Sequence, residues 1–336
     1  MGGVFVGPLS AEDEPLIAQE SLVIDPGYAF VISGSVAIRL LLRGVGLQPG
    51  DRVAIPALIC PSVVWAIRAE GLTPAFMDVD GDGFWMLFDR DHWEKCAFQA
   101  ILLPHMYGLL HPQTADIMAF AEDRGLPLFH DAAQSHGLLW QGEPLITCNQ
   151  GGFVSFGAGK STTAAGGALV HGLPEAMIHR LQLTHYSRFN PYARRFMEER
   201  MGQQVVWRWY HRPPFGVCAS RLQVRAARYL LGRFSVIEER RRSHWQQLET
   251  LIGGELLGLS AARRSCYKYV IHRDTPTWSP PPQLLGVAWR RVEKYPAESD
   301  LPNYTAWKGY LYELSTERSL AFFRDHWERR QGKVER

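Results

Sequence analysis

Short apolar runs alternate with stretches in which apolar residues recur every three or four positions, and this pattern continues through the first half of the chain. A short apolar run predicts a buried strand, and the three-to-four spacing predicts an amphipathic helix. Within residues 36–44, for example, Ile38, Leu41 and Leu42 share one helical face, and Gly44 is a typical helix end. The predicted strands lie at residues 28–32, 52–56, 74–79, 100–103, 126–129, 153–156 and 168–170. The predicted helices lie at residues 36–44, 61–69, 89–95 and 114–124.

Strands that alternate with helices at this spacing are typical of βαβ units, which build a mostly parallel sheet with helices on both faces. We therefore predict an α/β fold. Ligands of such sheets bind beyond the carboxyl ends of the strands. Three polar groups follow predicted strands, so we expect them to meet at that edge: residues 33–35, Asp131 with Gln134, and Lys160.

The last third of the chain has a different pattern. Residues 220–252 predict one long helix or two, with Leu222, Ala226, Leu230, Phe234 and Ile237 facing inward and the charged residues 238–242 facing solvent. After Gly253-Gly254, strands are predicted at 267–272, 285–292 and 310–314, and a helix at 316–330. We predict a large α/β domain over residues 1–240, which begins with an arm of little pattern, and a small C-terminal α+β domain over residues 241–336.

Composition and charge exclude several classes of protein. The 336 residues are 46% hydrophobic and 21% charged, with a net charge of +2, which fits a soluble globular protein without a polyanionic partner. The five cysteines form no C-x-x-C pair, so we expect reduced thiols in the cytoplasm and no metal site. No uncharged apolar run reaches 18 residues, and the acidic first twenty residues do not resemble a signal peptide. We therefore expect no membrane association.

Arginine, tyrosine and tryptophan are interleaved between residues 174 and 214. Such a stretch can bind single-stranded nucleic acid. Because Glu198 and Glu199 interrupt it, we expect a packed helical face or a subunit contact and no nucleic acid partner.

Lys160 lies in an unusual setting for a lysine. A short apolar strand leads into a turn with Gly157 and Gly159, and the chain returns through Gly166-Gly167 to a second apolar run. Glycines allow close approach of another group, and a lysine amine forms a Schiff base with an aldehyde once it is desolvated. A solvated lysine in a flexible loop is the alternative interpretation. A nucleotide phosphate loop is excluded, since the glycine required five positions before the Gly-Lys pair is Val154.

The segment Ser33-Gly34-Ser35 lies between a predicted strand and a predicted helix. Backbone N–H groups at the start of a helix, together with its dipole, bind phosphate well. A serine N-cap without a ligand is the alternative.

Two motifs occur in a recognisable order: Asp131-Ala132-Ala133-Gln134, and then Ser155 five residues before Lys160. With Ser33-Gly34-Ser35 upstream and Gly166-Gly167 downstream, the chain resembles a divergent member of the DegT/StrS family of pyridoxal-phosphate-dependent sugar aminotransferases, over nearly its full length.

The resemblance implies a fold-type I homodimer with active sites at the subunit interface. Lys160 would bind pyridoxal phosphate covalently and then move a proton at the substrate carbon, and Asp131 would pair with the protonated ring nitrogen. Gln134 would contact the ring hydroxyl. The phosphate would be held by the N–H groups of Gly34 and Ser35 and by the Ser155 hydroxyl. Cys60 would stand on the ring face, where the family usually has an aromatic residue.

Other positions also depart from the family pattern. His130 replaces an acidic residue, Ala164-Ala165 lies in a run that lacks the family's glutamate, and Cys218 stands where a neighbouring subunit usually offers an asparagine to the phosphate.

The implied activity is transfer of an amino group from an amino acid, with glutamate the expected donor, to the keto carbon of a sugar, expected to be nucleotide-linked. Lys160 argues against the relatives that carry histidine there and act as dehydratases. Two alternatives stay open: a non-sugar keto or amine substrate on the same scaffold, and a cofactor-binding or partner-binding protein whose catalysis has decayed.

Overall fold

The structure, a computed structural model, describes residues 19–22, 24–80, 85–157, 166–183 and 217–252, together with Leu16, Lys160, Thr162 and three later strand segments. Some predictions lie outside the described residues: most of the N-terminal arm, Gly159, Ala164-Ala165, the basic and aromatic stretch from residue 184 to 214, and the helix at 316–330.

A seven-stranded sheet forms the centre of the molecule. Its strands are β1 (Tyr28–Val31), β2 (Arg52–Pro56), β3 (Thr73–Met77), β4 (Ala100–Pro104), β5 (Leu128–Asp131), β8 (Gly152–Ser155) and β9 (Ala168–His171). Residues Leu139–Trp140 (β6) and Glu143–Pro144 (β7) form a separate hairpin. The strand order in the large sheet is β1-β9-β8-β5-β4-β2-β3.

The helices follow the strands as the apolar periodicity predicts, with two differences. The helix predicted at 89–95 covers only the four residues Arg90–Trp93, and the helix Glu175–Leu183, after β9, was not predicted. The helices are α1 (Gly34–Gly44), α2 (Pro61–Ala69), α3 (Arg90–Trp93), α4 (Thr114–Asp123), α5 (Glu175–Leu183), α6 (Arg221–Gly232) and α7 (Phe234–Ile252). In the described part of the chain, 3-10 turns lie at Met106–Gly108 and Leu145–Thr147.

Strand β9 is antiparallel to both of its neighbours, β1 and β8, and the other pairs in the large sheet are parallel. The predicted α/β class with a mostly parallel central sheet is therefore confirmed. Strand β4 is buried at all five positions, as expected for a strand covered on both faces. Because six strands point the same way, the segments after β1, β4, β5 and β8 emerge at one edge of the sheet.

The alternation of side chains along β8 determines on which face of the sheet Ser155 lies. Phe153 packs in the cluster that contains Ala37 and Leu41 of α1, whereas Val154 packs with Val224 of α6. Successive side chains of a strand point to opposite faces, so Ser155 lies on the α1 face with Phe153.

The region predicted as one helix or two is two helices, with the break at Arg233. The prediction that Leu222 faces inward is wrong: its side chain is 44% exposed, because the buried stripe of α6 contains Gln223, Ala226, Ala227 and Leu230 instead. Residues 238–242 were predicted to face solvent, but Arg241 is fully buried where α7 packs on the rest of the fold.

A second, antiparallel sheet of three strands lies further along the chain: β10 (Lys268–Arg273), β12 (Tyr310–Ser315) in the centre, and β11 (Trp289–Arg291). The division into domains at residue 240 stays a prediction, and α7 runs across that position. In the part of the chain that the structure describes, no helix is both long enough and apolar enough to cross a bilayer.

Candidate active site

Gly34, the first residue of α1, lies directly against the end of β8. A Cβ added there would stand 3.0 Å from Cε2 of Phe153 and 3.5 Å from Oγ of Ser155. Any larger residue would fill the space between the start of the helix and the Ser155 hydroxyl. The glycine therefore leaves space between the backbone at the start of α1 and the Ser155 hydroxyl.

Ser33 is the N-cap of α1, and its side chain accepts a hydrogen bond from the Val36 N–H at 3.4 Å. The N–H groups of Val36 and Ala37 also donate to the Ser33 carbonyl. Within a helix, the first N–H groups have no carbonyl acceptor, so those of Gly34 and Ser35 are suited to an anion. The N-cap and the anion site are compatible, since they use different N–H groups.

The turn that carries Lys160 begins beside Ser155. The Gly157 N–H donates to Oγ of Ser155 at 3.4 Å, and the Lys160 N–H donates to the Gly157 carbonyl at 3.1 Å. A Cβ on Gly157 would stand 3.5 Å from the Ser155 Oγ and 3.8 Å from Cγ of Lys160. Ser155 and the half-buried Lys160 therefore belong to one compact turn.

Asp131, the last residue of β5, is buried, and its Oδ1 accepts a hydrogen bond from the Ala133 N–H at 3.0 Å. Burial raises the pKa of this carboxyl group, while the charge of Lys160 and the Ala133 N–H act in the opposite direction. The structure thus brings Asp131 and Lys160 close enough to interact electrostatically. An additional cationic partner would stabilise the charged form of this buried carboxyl group, which burial alone disfavours.

Gln134 is half-buried and turned towards the loop after β4, where its Oε1 accepts a hydrogen bond from the Tyr107 N–H at 3.0 Å. Tyr107 has a left-handed backbone conformation with φ of 58°, which presents that N–H to the glutamine. With its oxygen engaged in this way, the amide NH₂ of Gln134 is the group left to act on a ligand.

The two cysteines singled out by the sequence lie in different settings. Cys60 is exposed at the start of α2, beyond the end of β2, and its Sγ lies 3.1 Å from Oγ of Ser62. Cys218 is buried beside β1, and its thiol donates to the Leu181 carbonyl at 3.6 Å. The thiol of Cys218 is therefore used within its own chain.

Three residues near this site were not assigned to it from the sequence. Ser135 donates from Oγ to the His105 carbonyl, Thr162 is fully buried two positions after Lys160, and His136 lies 2.9 Å from Thr162. The polar run from Asp131 to His136 was a signal for a functional loop, but it did not indicate which partners those side chains have.

The sequence profile of the DegT/DnrJ/EryC1/StrS aminotransferase family matches residues 27–255, which is more than half of the chain. The chain belongs to this family. Its resemblance, inferred from the two motifs at Asp131 and Lys160, is thereby confirmed.

Two curated relatives in the family illustrate its range. GDP-perosamine synthase of Escherichia coli O157:H7 is 33% identical over 147 residues, which cover 43% of this chain and 40% of the relative. The 3-amino-5-hydroxybenzoate synthase of Amycolatopsis mediterranei is 33% identical over 145 residues, 42% of this chain and 36% of the relative. The matches thus span less than half the length of these relatives.

Solved structures extend the likeness over most of the fold. Spr1654 of Streptococcus pneumoniae in its PMP form has a TM-score of 0.66 and 18% identity, with 91% of this chain and 86% of that chain covered. Its PLP form has a TM-score of 0.65. These structures show that the fold is shared. Because the chain belongs to an aminotransferase family, we test whether its site residues fit pyridoxal phosphate.

The residues present fit that cofactor. The N–H groups at Gly34 and Ser35 and the Ser155 hydroxyl match a phosphate, and Gly34 leaves the space that a Cβ would fill. The buried Asp131 carboxyl matches a cationic ring nitrogen. Lys160 supplies the amine that an aldehyde requires, on the turn that also holds Ser155.

Proposed function

We propose that this chain is a pyridoxal-phosphate-dependent aminotransferase that moves an amino group from an amino acid, with glutamate the expected donor, to the keto carbon of a sugar. The observation that carries the proposal is the arrangement of the buried Asp131 within electrostatic reach of Lys160, on the turn that also holds Ser155 beside Gly34. Membership of the aminotransferase family supports it.

Each proposed residue has a separate task. Bound pyridoxal phosphate supplies an electron sink for the bonds at the substrate carbon. Asp131 holds the ring nitrogen in its protonated form, and Gln134 orients the ring through its hydroxyl group. Lys160 first binds the cofactor and then carries the proton to and from the substrate carbon. The N–H groups of Gly34 and Ser35 and the Ser155 hydroxyl hold the phosphate.

Cys60 is proposed to border the ring face. Because a thiol is smaller than the aromatic ring usual in the family, it would leave more room beside the cofactor. A nucleotide-linked sugar is the proposed acceptor, in keeping with the GDP-perosamine synthase relative. We further propose a cytoplasmic homodimer whose active sites lie at the subunit interface.

A non-sugar acceptor is the second candidate. A relative of equal identity is named 3-amino-5-hydroxybenzoate synthase, a product that is not a sugar. Together with the small Cys60 side chain, this supports a test of keto compounds outside the sugars.

The cofactor assignment is tested by borohydride reduction of the purified protein loaded with pyridoxal phosphate, followed by peptide mass spectrometry. We expect the label on Lys160, its loss in Lys160→Ala, and its retention in the control Lys95→Ala, which changes an exposed lysine. An unchanged reducible adduct in Lys160→Ala would refute the assignment.

Amino transfer needs a second experiment. Glutamate should convert the bound cofactor to the pyridoxamine form, and a panel of nucleotide-linked keto sugars and non-sugar keto compounds should restore the original spectrum. The acceptor that restores it fastest identifies the substrate class. A loaded protein that no amino acid discharges would indicate decayed catalysis instead.

A further inference from the structure

His136 contacts the Lys160 turn at both of its ends. Its Nδ1 lies 2.9 Å from Oγ1 of Thr162, two residues after the lysine. Its ring also meets the ring of Phe156, the residue after Ser155, edge to face with 5.9 Å between centroids. A single side chain from the Asp131 loop thus spans the turn that carries the proposed cofactor lysine.

The His136 ring also packs against α7. The ring of Phe234, the first residue of that helix, stacks on His136 with 4.5 Å between centroids and 27° between planes. Gly137 makes this stacking possible, since a Cβ there would stand 2.1 Å from Cε1 of Phe234, and its φ is +80°. The imidazole therefore packs against two aromatic rings, those of Phe156 and Phe234.

The loop between Asp131 and His136 is anchored to the rest of the sheet edge. The Ser135 N–H donates to the Ala132 carbonyl at 2.9 Å, and the Ser135 hydroxyl donates to the His105 carbonyl. Gln134 accepts the Tyr107 N–H. These bonds fix the loop that connects Asp131 to His136.

We propose that His136 is a positioning residue that holds the Lys160 turn at a fixed distance from Asp131, through Thr162. The proposal rests on the proposed function, because the distance matters for a ring bound between the two groups. Positioning of a reacting amine by a locked supporting side chain is a general requirement of such sites.

The histidine side chain combines two properties that the geometry requires. Its flat ring packs against Phe156 and Phe234, and its Nδ1 forms the hydrogen bond with the Thr162 hydroxyl. Burial and the charge of Arg241 lower the pKa of His136 to about 4, so the ring is neutral at pH 7. A role in packing alone would require only the flat ring.

Variants separate the two roles. His136→Phe keeps an aromatic ring for stacking but removes the hydrogen bond, and Thr162→Val removes the hydroxyl with little change of shape. Thr162→Ser keeps the hydroxyl and serves as the conservative control. Thermal unfolding shows which variants are folded, and the double variant His136→Phe with Thr162→Val completes a cycle.

The first measurement uses the cofactor-free protein. Reductive methylation with formaldehyde, followed by peptide mass spectrometry, gives the rate at Lys160 relative to the exposed Lys95 in the same molecule. If the turn is released, Lys160 reacts faster: we expect a rise of about three- to tenfold in His136→Phe and in Thr162→Val, the range that one hydrogen bond can supply. Thr162→Ser should stay near the wild-type ratio.

The second measurement is the rate at which pyridoxal phosphate forms a borohydride-reducible adduct. We expect it to fall by about three- to tenfold in the two disruptive variants, with no further fall in the double variant. Wild-type rates in folded His136→Phe and Thr162→Val, or strictly additive effects, would overturn the proposal. If the wild-type protein forms no adduct, the proposed function fails, and the methylation ratio alone still decides whether His136 positions the turn.

Discussion

Nε2 of His105 lies 3.0 Å from Nδ1 of His130, where β4 and β5 end side by side. Nδ1 of His105 accepts the His111 N–H at 3.1 Å, so its proton is on Nε2 and is donated to His130. Nε2 of His130 then donates to Oδ1 of Asn149 at 3.1 Å. Each hydrogen bond determines the tautomer of the next ring, and this chain of hydrogen bonds is complete only when both His105 and His130 are neutral.

This arrangement predicts that stability falls in mild acid. Burial lowers the pKa of His111 and His130 to about 4 and that of His105 well below its usual range. Between about pH 6.5 and pH 4 the unfolded chain therefore binds more protons than the folded chain, so the free energy of unfolding decreases as the pH falls through that window. Above about pH 6.5 the contribution is fully present. Urea unfolding at a series of pH values measures it.

Two comparisons isolate the histidine contribution. The raised pKa of Asp131 makes stability decrease as the pH rises, opposite to the effect of the histidines. The slope of stability with pH is therefore compared between variants. His130→Asn should reduce the slope, and His179→Gln, which changes an exposed histidine, should preserve it. If the slope of stability with pH were equal in wild type and His130→Asn, the assignment of a neutral His130 would be wrong.

Gly34→Ala should weaken cofactor binding more than it weakens the fold. Alanine favours a helix over glycine by about 1 kcal/mol, which offsets part of the cost of moving the Phe153 ring, 3.0 Å from the new Cβ. The same methyl group intrudes beside the Ser155 hydroxyl, so we expect the Kd for pyridoxal phosphate to rise about tenfold or more, measured by absorbance titration, as for loss of one charge-assisted hydrogen bond.

Gly232→Ala is the matched control for that experiment. It also lies in a helix, at the end of α6, and a Cβ there meets no atom within 4 Å. Its cofactor affinity should be that of the wild type. If Gly34→Ala binds the cofactor equally well, the phosphate is not held at the start of α1.

The sequence predicted the sheet well because its strands are short apolar runs bounded by turns. The range 52–56 agrees with β2 at both ends, and 153–156 differs from β8 by one residue at each end. The family motifs also directed attention to Asp131 and Lys160, and β5 and the turn after β8 bring these residues together. Local sequence patterns are sufficient to predict a strand and the residues at its end when burial and strand direction determine their position.

Contacts between distant segments could not be predicted in the same way. The hydrogen bond between His136 and Thr162 joins positions 26 residues apart, and no spacing rule selects that pair. Arg241 lies in a charged run that periodicity assigns to solvent, yet the packing of α7 buries it completely. The pairing of His105 with His130 likewise depends on the register of β4 and β5, in which Leu103 pairs with His130.

Asp131→Asn should separate stability from catalysis. Asparagine can still accept the Ala133 N–H through its side-chain oxygen, while it removes a charge whose burial is unfavourable, as the raised pKa indicates. We therefore expect the cofactor-free variant to be at least as stable as wild type in urea. The glutamate half-reaction should slow by about ten- to a hundredfold, the range of one charge-assisted hydrogen bond lost from the ring nitrogen.

Asp78→Asn is the control, because Asp78 also accepts a backbone N–H, that of Val79 at 2.9 Å, at the end of a different strand. Its half-reaction should keep the wild-type rate. If Asp131→Asn were as fast as Asp78→Asn, the carboxylate would have no electronic role, and the pairing of Asp131 with the cofactor would have to be abandoned.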